Sequence, residues 1–156
     1  RLRPPSRLMR AVLQRVRRAC VRVDDRIVGQ IGPGLLVLLG IAADDGAREV
    51  DWMLDKALGM RVFENDDGKF DRSLVDAGGA LLVVSQFTLL ADTRKGRRPS
   101  FTRAARPEAA LPLYERFIAG AAARGIEVAG GSFGANMDVD LVNHGPVTIV
   151  VDSDAS

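Results

Sequence analysis

The fold is decided by the stretch Ala80-Leu81-Leu82-Val83-Val84-Ser85-Gln86-Phe87-Thr88. Its first five residues form an unbroken apolar run, which is typical of a central strand covered on both faces. The last four, residues 85–88, bring hydroxyl and amide groups to the place where that strand should end, and we call them the strand-end segment. Backbone N–H groups leave the ladder at a strand end, so we expect this segment to face a ligand.

A second unusual segment, Asn143-His144-Gly145-Pro146-Val147-Thr148, lies near the C-terminus, and we call it the Gly–Pro segment. Apolar residues alternate with others on both sides of it, in residues 137–142 and 147–151, which predicts a strand on each side. Proline cannot donate a hydrogen bond to a sheet ladder. We therefore expect the chain to turn at Gly145-Pro146, between the two final strands.

Further strands are predicted outward from these segments, and their spans are 9–23, 26–31, 35–41, 61–63 and 126–128. The first is long or bent. Gly32-Pro33-Gly34 is predicted to form the hairpin turn between the next two. Residues 64–69 are predicted to form an acidic loop.

Two amphipathic helices complete the pattern. After Asp44-Asp45-Gly46, apolar residues recur with the i, i+3, i+4, i+7, i+8 spacing of one buried helix face, and Gly59 is placed to end that helix. A second helix is predicted between Pro107 and Arg124, starting or kinking at Pro112. Its predicted buried residues are Leu111, Tyr114, Phe117, Ile118 and Ala121.

The expected fold is therefore a single α+β domain over residues 9–156, with a curved, largely antiparallel or mixed sheet, partly barrel-like, and two main helices. Residues 1–8 are expected to form a flexible extension. Hydrophobic residues make up 47% of the 156 and charged residues 27%, as in ordinary globular domains. The longest apolar runs are far shorter than the roughly 20 residues of a membrane helix. No secretory signal is expected, which favours the cytoplasm.

The counts of cysteine and histidine limit the kinds of catalytic and metal site that the chain can form. The chain has one cysteine, Cys20, and one histidine, His144, so an internal disulfide or a zinc cluster of Cys and His is not expected. His144 lies in a tight turn, where a polar side chain usually points to water, so a catalytic histidine is disfavoured. Free N–H groups at the strand-end segment could stabilise an oxyanion, an effect of about 3 kcal/mol per donor. The alternative is that Ser85 and Thr88 only satisfy local hydrogen bonds.

Positive charge is unevenly distributed along the chain. Eight arginines precede the first acidic residue, Asp24, and Arg94-Lys95-Gly96-Arg97-Arg98, which we call the basic loop, follows the strand-end segment. Such clusters suit a phosphate-bearing partner, although a solvated surface has the same composition.

Several collinear stretches resemble the D-aminoacyl-tRNA deacylase family. They are Leu13-Gln14-Arg15-Val16, Gly32-Pro33-Gly34-Leu35-Leu36-Val37, residues 83–89, residues 91–101, Phe133-Gly134-Ala135 with Met137, and Leu141-Val142-Asn143 before Gly145-Pro146-Val147-Thr148. The resemblance covers residues 9–152. His144 stands where the family places Asp or another polar residue.

The resemblance implies an enzyme that hydrolyses the ester of D-aminoacyl-tRNA, with glycyl-tRNA as a further candidate substrate, and that rejects L-aminoacyl-tRNA in translation proofreading. It implies a cytoplasmic homodimer without cofactor or metal, whose partner is tRNA and not DNA or a membrane. In the family the Gly145-Pro146 bond is cis. The pair then enters the neighbouring subunit's pocket, where its carbonyl groups exclude an L-side chain.

The same resemblance implies a role for each site residue. The catalytic segment is Ser85, Gln86, Phe87 and Thr88; Arg15, Phe133 and Met137 bind substrate; Arg94, Lys95, Arg97 and Arg98 contact tRNA phosphates. Arg15 would support the site near Gln86, and Phe133 would meet the terminal adenosine.

Two routes of hydrolysis stay open: attack by Thr88, or attack by water or the ribose 2′-hydroxyl with the N–H groups of Phe87 and Thr88 holding the oxyanion. We favour the second, because an activated hydroxyl needs a base that the sequence does not offer. A non-catalytic RNA-binding module and a small-molecule esterase are the alternative functions.

Overall fold

The computed structural model describes residues 8–153. The strands are β1 (Arg10–Val23), β2 (Arg26–Ile31), β3 (Gly34–Gly40), β4 (Phe63–Glu64), β5 (Phe70–Arg72), β6 (Ala80–Ser85), β7 (Val128–Gly130) and β8 (Asp138–Asp152). The helices are α1 (Ala47–Gly59), α2 (Leu74–Ala77) and α3 (Pro107–Ala123), and Phe87–Leu90 forms a 3₁₀ turn. The predicted extension falls outside the described residues, apart from Leu8.

The sheet is organised around β1, which pairs along both of its edges. One edge pairs antiparallel with β8 over almost the whole length of the strand. The other edge pairs with β3 in its first half and with β2 in its second half. Register shifts between Gln14 and Arg18 fall where the partner changes. The long or bent first strand is thereby confirmed.

The hairpin predicted at Gly32-Pro33-Gly34 is wrong. β2 and β3 both run antiparallel to β1 and pair with successive parts of it, so the chain continues in one direction through these three residues. The hairpin turn lies at Asp24 and Asp25, whose φ angles are 49° and 63°. Gly34 is required for a different reason: a Cβ there would lie 1.8 Å from the carbonyl oxygen of Ala80.

β6 is the central parallel strand, as its apolar run predicted. It lies between β3 and β7 and pairs parallel with both, and Ala80 through Val84 are buried. The sheet curves until β2 meets β7. At that contact a Cβ on Gly29 would lie 2.1 Å from the carbonyl oxygen of Gly130, so only glycine permits the approach. The strands thus nearly close into a barrel.

The two main helices cover one face of the sheet. The predicted apolar stripe of α1 is buried, and the helix ends at Gly59. α3 begins at Pro107 and not at Pro112, because proline suits the first helical turn, where an N–H has no partner. Ala110 is buried in α3, whereas Leu111, predicted to be buried, is 38% exposed.

The opposite face of the sheet carries a second apolar cluster, which includes Val21, Leu36, Leu82 and Val84. Since β3 and β6 are covered on both sides, their unbroken hydrophobic sequences are explained. Within the described range, no helix combines the length and the apolar character needed to cross a membrane.

Small elements that the sequence pattern did not separate lie between α1 and β6. The predicted strand at 61–63 is displaced to β4, which pairs with β5 around the acidic loop. The short helix α2 follows, capped by the Ser73 hydroxyl, which accepts a hydrogen bond from the Asp76 N–H. The β4–β5 hairpin lies beside Arg15, which contacts Val62 and Glu64.

The turn predicted between two final strands is also wrong. β8 is one strand of 15 residues, and the Gly–Pro segment forms a bulge within it. Asn143 pairs with Val16 and Thr148 pairs with Gln14, so four residues of β8 bulge opposite Arg15 alone. Proline has no N–H to donate to the ladder, and a bulge accommodates it as a turn would, because the bulged residues are not paired with the neighbouring strand.

Asp45 introduces a half-buried charge between β3 and α1. Its Oδ2 accepts a 2.6 Å hydrogen bond from the Ala42 N–H. Its Oδ1 is buried with no hydrogen-bond partner among the described residues. Burial, with the nearby charges of Glu49 and Asp44, raises the pKa of Asp45 from 3.8 to about 6.

Replacing Asp45 with Asn is therefore expected to stabilise the protein at neutral pH. Because the folded state binds the proton more tightly than the unfolded state, ionisation of Asp45 lowers the free energy of unfolding between pH 3.8 and about 6. The variant should gain in thermal midpoint above that window and lose the gain below it. Midpoints measured from pH 3.5 to 8, with the exposed Asp67→Asn as the charge-matched control, test this. An equal gain at every pH would contradict it.

Candidate active site

The strand-end segment begins where β6 leaves the sheet. The last ladder hydrogen bond runs from the Gln86 N–H to the carbonyl oxygen of Leu39, at 2.8 Å. The chain then enters the 3₁₀ turn, with Phe87 54% exposed. The Gln86 side-chain amide donates a 3.1 Å hydrogen bond to the Thr88 hydroxyl. The predicted position at the end of the central strand is confirmed.

Two backbone donors are left free by this change of structure. The first residues of a helical turn have no carbonyl group behind them to accept their N–H groups. Across residues 8–153, no hydrogen-bond acceptor meets the N–H of Phe87 or of Thr88. The arrangement can therefore offer two adjacent donors to an oxygen atom of a ligand.

A cavity of about 450 Å³ opens beside these donors. It brings together four of the predicted site residues: Ser85, Phe87, Phe133 and Met137. Its remaining walls are mostly apolar side chains of the segment leading into α3 and of α3 itself. Such a cavity, apolar with a few polar groups, is typical of small-molecule sites.

Phe101 is a cavity residue to which the sequence assigned no role. Its ring meets that of Phe87 edge to face, with centroids 5.1 Å apart and planes at 79°. It lies just beyond the basic loop, so the loop and the cavity are directly connected. The Pro-Ser-Phe sequence at 99–101 was the available signal, but nothing in its pattern indicates which way the ring points.

The basic loop is closed at its base, where Asp92 and Ser100 exchange two backbone hydrogen bonds of 2.7 and 2.9 Å. Arg94 turns back onto Asp92 through its Nε and Nη2, at 2.9 and 2.7 Å, and these bonds lower the pKa of Asp92. Lys95, Arg97 and Arg98 are exposed, and within the described chain no carboxylate pairs with them. The four predicted phosphate contacts thus divide into one internally paired arginine and three open cations.

Arg15 does not lie near Gln86 of its own chain. It is only 5% exposed, and its Nε donates a 2.9 Å hydrogen bond to the carbonyl oxygen of His144. Its Nη1 donates a 2.8 Å bond to the Val62 carbonyl oxygen, and its Nη2 is 3.4 Å from Glu64. Arg15 therefore ties the Gly–Pro segment to the β4–β5 hairpin. Its place opposite the bulge depends on strand pairing, which residue type does not reveal.

The Gly–Pro segment is held from within by Asn143. The Asn143 side chain accepts a 2.7 Å hydrogen bond from the Val147 N–H and donates a 3.1 Å bond to the Val147 carbonyl oxygen. These bonds replace the ladder where β8 bulges. The Gly145-Pro146 peptide bond is cis, as the resemblance implied, and both residues are exposed. Gly145 has a φ of 138°, a conformation that essentially only glycine adopts.

The two distinctive segments are far apart within one chain. The strand β3 lies between them and gives a common reference. Ser85 of β6 pairs with Leu39 of β3, whereas Arg15 of β1, opposite the bulge, pairs with Leu35 of β3. Four residues along the strand correspond to about 13 Å, and the three strand spacings from β6 to β8 add about 14 Å across the sheet. His144 and Arg15 border a separate cavity of about 580 Å³. The structure therefore does not bring Gly145 and Pro146 to the first cavity of their own chain.

The sequence matches the model of the D-Tyr-tRNA(Tyr) deacylase family over residues 12–152. The chain belongs to this family. The match includes the strand-end segment, the basic loop and the Gly–Pro segment. Within the described residues, no three His, Cys, Asp or Glu side chains converge as a metal site would require.

Relatives of the D-Tyr-tRNA(Tyr) deacylase family align along nearly the whole chain. A D-aminoacyl-tRNA deacylase of Chloroflexus aurantiacus is 59% identical over 145 residues, covering 93% of this chain and 91% of the relative. One of Symbiobacterium thermophilum is 54% identical over 147 residues, covering 94% and 97%. A solved structure, the c-Myc DNA unwinding element binding protein, has a TM-score of 0.86 at 41% identity, covering 92% of this chain and 97% of that one. The predicted family and fold class are confirmed.

Replacing Gly145 with Ala is expected to destabilise the bulge. A Cβ would lie 2.8 Å from Val147 Cγ2 and 3.1 Å from Arg15 Nη2, and the positive φ adds backbone strain. We expect a loss of about 1–3 kcal/mol in the free energy of unfolding. His144→Ala, which removes only an exposed side chain, should change it by less than about 0.5 kcal/mol. Denaturant titration of both variants is the measurement. Equal losses in the free energy of unfolding would contradict the requirement for glycine at position 145.

Proposed function

We propose that this protein hydrolyses the ester bond that joins a D-amino acid to the 3′ end of tRNA, releasing the amino acid and the tRNA. The single observation that carries the proposal is the pair of free N–H groups at Phe87 and Thr88, beside an apolar cavity, in a chain of this family. Donors fixed in advance stabilise the charge that develops on an ester carbonyl oxygen. The relatives named above carry this activity in their names.

The first cavity receives the terminal adenosine in this proposal. Single-stranded RNA ends are commonly recognised by stacking on aromatic side chains. Phe87, Phe101 and Phe133 supply such surfaces around the cavity, with Met137 beside them. An adenosine held there brings its 2′- and 3′-oxygens toward Ser85 and the free donors. The amino acid would then lie at the mouth of the cavity.

The attacking group is water or the ribose 2′-hydroxyl, not Thr88. A hydroxyl nucleophile needs a neighbouring base. The Thr88 hydroxyl is hydrogen-bonded by an amide N–H group of Gln86, which cannot remove a proton. His144, the chain's one histidine, borders the other cavity.

Chiral selection is assigned to the Gly–Pro segment of a second copy of the chain. Gly145 and Pro146 are exposed and lie far from the first cavity of their own chain, so a homodimer is needed to bring them to it. Rigid main-chain carbonyl groups would admit a D-amino acid and collide with an L-side chain. A thousandfold preference requires about 4 kcal/mol. The protein would carry out this proofreading in the cytoplasm, where translation takes place.

The direct test is to incubate the protein with D-tyrosyl-tRNA, L-tyrosyl-tRNA and a nitrophenyl ester. We expect rapid release of D-tyrosine only. Equal rates on the two tRNAs would overturn the proposal. Salt-dependent tRNA binding without cleavage would identify an RNA-binding module, and cleavage of the nitrophenyl ester alone would identify a small-molecule esterase.

Thr88→Ala is expected to keep substantial deacylase activity, within about tenfold of the native rate, because the backbone N–H of residue 88 remains. Gly145-Pro146→Ala-Ala should reduce activity or selectivity far more than His144→Ala. Single-turnover rates on D-tyrosyl-tRNA give the comparison. Complete loss of turnover in a folded Thr88→Ala protein would instead favour the nucleophile route.

The open cations of the basic loop are expected to contact tRNA phosphates. Lys95→Gln and Arg97→Gln should each weaken binding and reduce the slope of log affinity against log salt by about one. Arg94→Gln should reduce the slope less, because Arg94 is already paired with Asp92. Filter binding at several salt concentrations tests this, with duplex DNA as competitor because one structural relative is named for DNA binding. Equal slope changes in all three variants would contradict the distinction between the paired Arg94 and the open cations Lys95 and Arg97.

A further inference from the structure

Tyr114 of α3 places a hydroxyl group in the interior, between two walls of the first cavity. The side chain is 5% exposed. Its hydroxyl donates a 2.8 Å hydrogen bond to the carbonyl oxygen of Val83 and accepts a 3.1 Å bond from the N–H of Gly131. Burial raises the pKa of Tyr114, so the hydroxyl remains protonated and can donate at physiological pH.

These two hydrogen bonds reach both walls of the cavity. Val83 is two residues before Ser85 on β6. Gly131 begins the loop that carries Phe133 and Met137 to the opposite wall. The β6–β7 ladder ends at the pair Val83 and Gly130, so the hydroxyl lies where the two strands separate. The direct bond from the Gly131 N–H to the Val83 carbonyl oxygen is longer, at 3.2 Å.

The backbone around the hydroxyl is shaped to receive it. A Cβ on Gly130 would lie 2.7 Å from the Tyr114 oxygen, and a Cβ on Gly131 would lie 2.8 Å from the Met137 sulfur. The Tyr114 ring also meets the Phe133 ring, with centroids 5.7 Å apart. One buried side chain therefore contacts the start of the loop, its aromatic residue and the strand that leads to the strand-end segment.

We infer that Tyr114 is a positioning residue, whose hydroxyl sets the distance between the Ser85–Phe87 wall and the Phe133–Met137 wall. This inference rests on the proposed function, in which the cavity holds the terminal adenosine. Tyr114 does not touch the ester or the free donors. Loss of its hydroxyl should therefore weaken substrate binding and spare the chemical step.

The test is Tyr114→Phe, which keeps the ring and removes the two hydrogen bonds. We expect KM for D-tyrosyl-tRNA to rise about three- to tenfold, as the loss of hydrogen bonds of ordinary net strength would give, with kcat within about twofold. Amide hydrogen exchange in residues 131–137 should accelerate. The matched control is Phe117→Leu, one turn further along α3 and fully buried, which removes packing and no hydrogen bond. It should lower stability while leaving KM and this exchange unchanged.

Unchanged KM and exchange in Tyr114→Phe would overturn the inference. A similar rise of KM in Phe117→Leu would also overturn it, because general destabilisation would then explain the effect. If the native protein cleaves no D-tyrosyl-tRNA, the proposed function fails, and hydrogen exchange with adenosine binding still decides the role of Tyr114.

A double-mutant cycle with Gly130→Ala provides a second readout. The added methyl group would meet the Tyr114 oxygen at 2.7 Å, the Ile118 Cδ1 atom at 3.0 Å and the Tyr114 ring Cζ at 3.7 Å, of which only the last is an ordinary contact. Tyr114→Phe relieves the first of these contacts and leaves the second, so in the Gly130→Ala background it should do less harm to KM and stability than in the native background. Strictly additive effects would show that the hydroxyl does not occupy this place.

Discussion

The hydrogen-bonded ladder around β1 fixes the distance between the two segments that distinguish this chain. β6, β3, β1 and β8 lie side by side, so the strand-end segment and the Gly–Pro segment are attached to one continuous sheet. Apolar clusters hold its central strands from both faces. Neither segment can approach the other without breaking strand pairs. A site that uses both must therefore draw them from two chains.

The same sheet explains why each segment is available for binding. The last hydrogen bond from this part of the chain to β3 is donated by Gln86, the residue after β6. The 3₁₀ turn that follows leaves the N–H groups of Phe87 and Thr88 without acceptors among the described residues. β8 bulges where proline interrupts it, and polar side chains replace the missing ladder. Asn143 closes the bulge internally, and Arg15 anchors it to the β4–β5 hairpin. The buried guanidinium has a carbonyl or carboxylate partner at each nitrogen, so its burial is compensated.

Local chemistry could be predicted from the sequence, and long-range pairing could not. The apolar run before Ser85 and the stripe of α1 depend on residues close in sequence, and both were correct. The stretch Gly32-Pro33-Gly34 was misassigned as a hairpin turn. Gly34 is there because the backbone of Ala80, which is distant in sequence, packs too closely against it for a side chain. Pro146 indicated a break in pairing but not whether the chain turns or bulges. The helical spacing correctly predicted that Tyr114 is buried, but the hydrogen-bond partners of Tyr114 and of Arg15 depend on helix packing and strand register, which no local pattern reports.

The most direct test of the central claim is the chiral selectivity of mixed dimers formed from two variants. Phe87→Pro removes one free N–H and a cavity ring, so the strand-end segment of that chain should not catalyse, and Gly145-Pro146→Ala-Ala removes the selecting surface. If each site combines segments of two subunits, the one working site of a purified mixed dimer has both segments intact, so it should cleave D-tyrosyl-tRNA and reject L-tyrosyl-tRNA. A mixed dimer that behaves like the Ala-Ala variant alone, by cleaving both tRNAs or neither, would contradict the account.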